Sequence, residues 1–157
     1  MNLRSGDIIF TKGAGWSSMW RIVFRGSGWT HVAMYLGRGK TIEMTYKGLR
    51  TVTLKKRYVG KYVGIARFNM DKRTRSWFTN EFKTKIWLDL QAYPFHLCKF
   101  DKLRLILPFL PKRNGHYLCD EYLQKYINVD YAKLGRGLWN SDLSRQPFKL
   151  IFKGRLK

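Results

Sequence analysis

The segment Thr30–Tyr46, THVAMYLGRGKTIEMTY, constrains the fold more than any other stretch of the chain. Val32, Met34 and Leu36 alternate with His31, Ala33 and Tyr35, and Ile42 and Met44 alternate with Thr41, Glu43 and Thr45. Two period-2 runs joined by Gly37-Arg38-Gly39-Lys40 predict a β-hairpin with one apolar face. Because a one-residue slip would turn every side chain to the other face, the apolar pattern also sets the register. Matching the two faces pairs Ala33 with Glu43 and His31 with Thr45, across a three-residue Gly37-Arg38-Gly39 turn. A two-residue turn would instead pair Met34 with Glu43 and set a charge against the apolar side. In the favoured register Glu43 lies on the face of His31, diagonal to it and within side-chain reach. A carboxylate there would hold an imidazole and fix its tautomer. The bland alternative is a pair of exposed polar side chains on a solvated strand.

Around the hairpin, GDIIF reads as an opening strand, and GLRTVTL and YVGIARF as further strands. SSMWRIVFR, with Trp16, Met19, Trp20, Val23 and Phe24 at helical spacing, predicts a short amphipathic helix ended by Gly26-Ser27-Gly28. A longer helix is expected over TRSWFTNEFKTKIWLDLQAY, burying Trp77, Phe78, Phe82, Ile86, Trp87 and Leu90. The segment after the last helix carries only weak structure signals. Strand, helix, several strands, then two helices, with no repeat or linker, predict a single α+β domain over residues 1–157.

Charge is the extreme feature of the composition: 31 Lys and Arg against 10 Asp and Glu, a net +21. Residues 1–98 carry 18 basic side chains against 5 acidic, and residues 99–157 carry 13 against 5, so the excess is not confined to a tail. Such a balance implies an anionic partner: membrane headgroups, nucleic acid or an acidic polymer. Lys47, Arg50, Lys55, Lys56, Arg57 and Lys61 form one basic cluster, and Lys72, Arg73 and Arg75 a second. Each also fits an ordinary solvated face. Trp16, Trp20, Trp29 and Trp139 flank the candidate residues and suit packing, base stacking or a membrane interface. The amino-terminal MNLRSGDIIF has no apolar core of a signal peptide, and Pro108 and Pro111 interrupt the most apolar run, LRLILPFLP. A cytoplasmic protein with no membrane span is expected.

Two cysteines, Cys98 and Cys119, read as free thiols. Cys119 lies within NGHYLCDEYLQKYI, where Tyr122, Leu123, Tyr126 and Ile127 continue its face at helical spacing. Asn114 and Gly115 supply turn chemistry before the helix, and Asp120 and Glu121 suit its positive end. A thiol in a first turn is acidified by the unpaired amides, which can also donate to an oxyanion. Equally, a small sulfur side chain can simply fill the core there. A nucleophile needs a base held by a third group. Of His31, His96 and His116, the first sits on a regular strand, the second in the irregular AYPFHLCKF loop, and the third too close along the chain to Cys119.

Taken together, GDIIF, GSGWTHVAMYLGRGKTIEM and HYLCDEYL resemble the circularly permuted papain-like amidases. This is the NlpC-type fold group that includes YiiX-like and poxvirus proteins and, more distantly, lecithin–retinol acyltransferases. SDLSRQPFKLIFKG is similar to the closing segment of that family, whereas residues 68–113 match only loosely. The resemblance implies a permuted papain-like fold, with Cys119 as nucleophile, His31 as base and Glu43 as the orienting group. It implies a thiol hydrolase acting on an amide, ester or thioester of a peptide or lipid, without metal or cofactor, from a bacterial or viral source. Two alternatives accompany it: a lipid acyl hydrolase or acyltransferase at an anionic membrane, and a non-catalytic basic binding module on the same fold. Asp120 is a departure, standing where relatives often carry Ser, and its charge opposes thiolate formation unless it points to solvent.

Overall fold

Strands that alternate apolar and polar residues need only one covered face, yet the hairpin around His31 lies inside a sheet buried on both. The structure, a computed structural model, describes residues 2–12, 28–45, 48–92, 131–143 and 147–157. In chain order these form β1 (Ile8–Thr11), β2 (His31–Gly37), β3 (Lys40–Thr45), β4 (Gly48–Thr53) and helix α1 (Leu54–Tyr58). They continue with β5 (Tyr62–Phe68), helix α2 (Lys72–Ala92), helix α3 (Tyr131–Asn140) and β6 (Phe148–Arg155). The six strands make one antiparallel sheet in the order β4-β3-β2-β1-β5-β6. The architecture is α+β, as the order of elements predicts. Among the described residues no helix is long and apolar enough to cross a membrane. The expected helix at 17–25 and the helix that carries Cys119 lie outside the described residues.

Register in the hairpin follows the apolar pattern, but the turn does not. Ala33 pairs with Glu43, Met34 with Ile42 and Tyr35 with Thr41, and then Gly37 pairs with Lys40 across a bulge between Tyr35 and Gly37. The loop is therefore the two-residue Arg38-Gly39, and not the expected three-residue turn. Its residues have φ 50° and 71°, the positive pair that matches strand twist in a tight hairpin. One extra residue at Leu36 restores the register that the side-chain faces require. The bulge is held from outside: Ser5 Oγ donates to the Leu36 carbonyl at 2.8 Å.

On one face, Ile8, Phe10, Val32, Met34, Ile42 and Met44 pack with Trp29, Phe148 and the α3 residues Leu134 and Leu138. On the other, Ile9, Ala33, Val63 and Ile65 pack with Tyr58 of α1 and with Leu156. Burying each large apolar side chain contributes about 1.5–3 kcal/mol. Trp29 packs edge-on against Trp139, with ring centroids 5.2 Å apart, and both tryptophans serve packing here. Gly64 lets the Trp29 ring and Leu138 lie directly on β5. A Cβ there would stand 2.6 Å from a Trp29 ring carbon and 2.7 Å from Leu138 Cδ2.

The segment after the last helix is more ordered than its weak sequence signals suggest. It supplies both α3 and the edge strand β6. α3 ends in a Schellman motif: Asp142 N–H donates to the Gly137 carbonyl at 2.8 Å and Ser141 N–H to the Leu138 carbonyl at 3.3 Å, with Ser141 at φ 60°. The Lys153 ammonium of β6 donates to the Trp139 carbonyl, a cation at the negative helix end. The two internal glycines of α3 and the irregular register of β6 disguise both elements in the sequence.

A second correction concerns α2, whose expected buried stripe begins at Trp77. Trp77 is 65% exposed, and Leu88, nearly in line with it, is 52% exposed. The side chains of Phe78, Phe82, Ile86, Trp87 and Leu90 lie outside the described residues. Helical periodicity alone does not specify which face turns inward.

Gly64→Ala is expected to lower stability by about 1–3 kcal/mol, because both neighbours of the added methyl are buried. Trp77→Ser should stay within about 0.5 kcal/mol of the parent. Urea unfolding of the two variants measures both. A silent Gly64→Ala would show that the Trp29 ring has room to retreat.

Candidate functional site

The hairpin brings His31 and Glu43 together. His31 Nε2 lies 2.9 Å from Glu43 Oε2, in the diagonal relation that the register predicts. The solvated-strand alternative does not hold for this pair. Glu43 is 1% exposed, and the His31 side chain retains only 18% of its accessible surface. Burial comes from α1, a five-residue helix after β4 that folds back over this face and lays Tyr58 on it.

Isolated in an apolar layer, a carboxylate would take up a proton; Glu43 is instead saturated with donors. Tyr58 Oη donates to Oε2 at 2.7 Å. Arg50 donates to Oε1 from Nε at 3.3 Å and from Nη2 at 3.1 Å. Arg57 Nε straddles the group, 3.1 Å from Oε1 and 3.2 Å from Oε2. Burial pushes the acidity of Glu43 the other way, but the His31 and Tyr58 hydrogen bonds and the His31 and Arg57 charges outweigh it and hold the pKa down at about 2. Tyr58 is shifted up, first by burial and then by the Glu43 charge, so its hydroxyl stays a donor at any ordinary pH.

For His31 the consequence is a fixed tautomer. A carboxylate that stays ionised accepts the Nε2 proton, so the neutral ring carries its acceptor lone pair on Nδ1. This is the state a general base requires, with one ring nitrogen anchored and the other basic. Cys119 and Cys98, with His96 and His116, lie outside the described residues. Of the three expected catalytic residues, the structure therefore places His31 and Glu43. Among the described residues no cluster of three or more His, Cys, Asp or Glu could hold a metal ion.

Three members of this constellation went unrecognised in the sequence. Arg50 and Arg57 were read as part of a basic surface cluster, and Tyr58 was not singled out. One signal for Arg50 was legible. With Thr45 paired to Gly48, Glu43 stands directly opposite Arg50, an opposite-charge pair across β3 and β4. Nothing comparable announced Arg57 and Tyr58, since they reach Glu43 only when α1 folds over the sheet.

A second buried carboxylate braces the neighbouring strands. Asp7 takes a two-pronged contact from Arg67, with Nε to Oδ1 at 2.8 Å and Nη2 to Oδ2 at 2.7 Å, and also accepts from Arg4 N–H at 2.8 Å. It pins the start of β1 to the end of β5, with Arg75 Nη1 a further 3.8 Å away.

No protein-family model matches the chain, and no curated protein matches it significantly. The functional reading therefore rests on the residues themselves.

Glu43 supplies a pH test with a definite sign. Its pKa is about 2 in the folded chain against an ordinary 4.5, so its stabilising contribution is present above pH 4.5 and fades as pH falls towards 2. That shift corresponds to a contribution on the order of 3 kcal/mol. Glu43→Gln, which also leaves Arg50 and Arg57 uncompensated, should cost about 3–5 kcal/mol near neutrality. Urea midpoints of parent and variant between about pH 2.5 and 6 should converge towards the acid end. A gap that stays constant with pH would exclude Glu43 as an ionised hub.

Proposed function

We propose that the chain is a thiol hydrolase, a single permuted papain-like domain over residues 1–157 in which Cys119 is the nucleophile, His31 the general base and Glu43 its orienting group. The observation that carries this reading is the His31 Nε2–Glu43 contact at 2.9 Å on a carboxylate kept ionised by Tyr58, Arg50 and Arg57. A buried imidazole–carboxylate pair with this many supports far exceeds what strand pairing needs. The sequence around Cys119, an acidified position in the first turn of an expected helix, complements it.

In the proposed reaction, His31 Nδ1 takes the proton from Cys119 Sγ, and the thiolate attacks the carbonyl carbon of an amide, ester or thioester. A C–S bond forms and the carbonyl oxygen becomes an oxyanion, which backbone amides at the start of the expected Cys119 helix would meet. Collapse breaks the bond to the leaving group, which departs as amine, alcohol or thiol with the proton held by His31. Water then gives a proton to His31, its oxygen attacks the thioester, and the carboxylic acid leaves as the thiol is restored. Throughout, Glu43 stabilises the transient imidazolium without accepting its proton, since its pKa is far below that of imidazole. The net charge of +21 would concentrate the enzyme on an anionic surface or substrate.

Thiol reactivity tests the proposal. Iodoacetamide at pH 7 should alkylate Cys119 well ahead of Cys98, as resolved by mass spectrometry of the peptides. His31→Ala should slow the Cys119 reaction at least about tenfold, because the base and its charge are lost. Equal reactivity of the two cysteines, unaffected by His31→Ala, would favour a binding module that keeps the fold without turnover.

A further inference from the structure

Around Glu43 the charges do not balance. Arg50 and Arg57 both touch the carboxylate, and Lys61 is near enough that Arg57 and Glu43 each act on its ammonium group. The turn after α1 brings Lys61 there: Gly60 adopts φ 81°, and Lys61 N–H donates to the Tyr58 carbonyl at 3.0 Å. Partial burial, and after it the Arg57 charge, lower the Lys61 pKa, as expected for an ammonium crowded by a second cation. Two arginines in contact with one carboxylate, with Lys61 within electrostatic reach of it, leave a local surplus of two positive charges.

Hydrogen-bonding capacity is left over as well. A guanidinium offers five N–H donors. Arg50 uses Nε and Nη2 on Glu43, and Arg57 uses Nε alone. Nη1 of Arg50 and both terminal nitrogens of Arg57 have no partner among the described residues. Each of these side chains is 37% exposed, so the unused donors are open to a ligand, and Lys61 is exposed beside them. Two half-used arginines and an adjacent lysine make a surface prepared for an oxyanion.

We infer that Arg50, Arg57 and Lys61 form an anion subsite beside the His31–Glu43 pair, and that it takes a phosphate group carried by the substrate. Charge selects phosphate over carboxylate. A phosphate monoester carries about −1.5 to −2 at neutral pH, which matches the surplus, whereas a carboxylate would cancel half of it. Geometry agrees, because the planar guanidinium fork fits phosphate oxygens through paired N–H donors. The headgroup of a phosphomonoester lipid and a soluble phosphomonoester present the same chemistry. As a substrate subsite this assignment rests on the hydrolase reading; as a phosphate site it does not.

Full-length ¹⁵N-labelled protein, titrated with inorganic phosphate, tests it through the Arg50 and Arg57 Nε–H resonances, which Glu43 holds. Both should move saturably, and equally in Cys119→Ala, which lacks the thiol. Affinity should fall about tenfold in Arg57→Gln, the loss expected for hydrogen bonds to a charged group. Lys61→Gln, which leaves every Glu43 contact in place, should weaken binding severalfold and covers the case in which Arg57→Gln does not fold. Resonances that ignore phosphate, or an affinity unchanged in folded Lys61→Gln, would overturn the subsite. Co-sedimentation with phosphatidylcholine vesicles, with and without phosphatidic acid, separates the sources. Phosphatidic acid-dependent retention that Lys61→Gln weakens points to a lipid headgroup. A phosphate response without retention points to a soluble phosphomonoester. A phosphate response combined with an inert Cys119 would sink the hydrolase reading and leave the phosphate site standing.

Discussion

A single buried carboxylate organises this protein's candidate site. Glu43 sits on the strand next to the sheet edge, under a helix, with almost no access to water, where a lone carboxylate would be neutral. It is ionised because four side chains converge on it: His31 from β2, Arg50 from β4, and Arg57 and Tyr58 from α1. Each contact is also a structural tie. Together they join two neighbouring strands and a covering helix through one residue, so the electrostatics of the site and the packing of this half of the sheet are the same interaction.

The arrangement fixes the tautomer of the neutral His31 ring. Anchored through Nε2 to a carboxylate that does not give up its charge, the neutral ring must keep Nδ1 as its basic nitrogen. An asparagine at position 43 would also orient the ring but would lend no charge to an imidazolium. Two arginines share the same carboxylate with His31.

Much of this was legible in local patterns, and the failures have a common origin. Alternation from Val32 to Leu36 and from Ile42 to Met44 was enough to place Glu43 beside His31, since only one register keeps both apolar faces intact. The turn itself was misjudged because a bulge at Leu36 lets a two-residue loop serve a register that seemed to demand three. Helical spacing places Trp77 inward because it marks a stripe without saying whether a surface exists to receive it. Arg50 and Arg57 looked like solvated charge, since an internal ion pair and a surface cation share the same letter in a sequence.

Sequence alone determined what depends on periodicity and composition: an α+β chain, its central hairpin and register, the face shared by His31 and Glu43, and a large positive charge. Tertiary structure decided what depends on distant segments meeting. It set the burial of Glu43 beneath α1, the choice of Arg50, Arg57 and Tyr58 as its partners, and the covering of both sheet faces by Tyr58 on one side and α3 on the other. The physical reason is that strand pairing is written in neighbouring residues, whereas the ionisation of a buried group depends on every charge and donor that folding brings within a few ångströms of it.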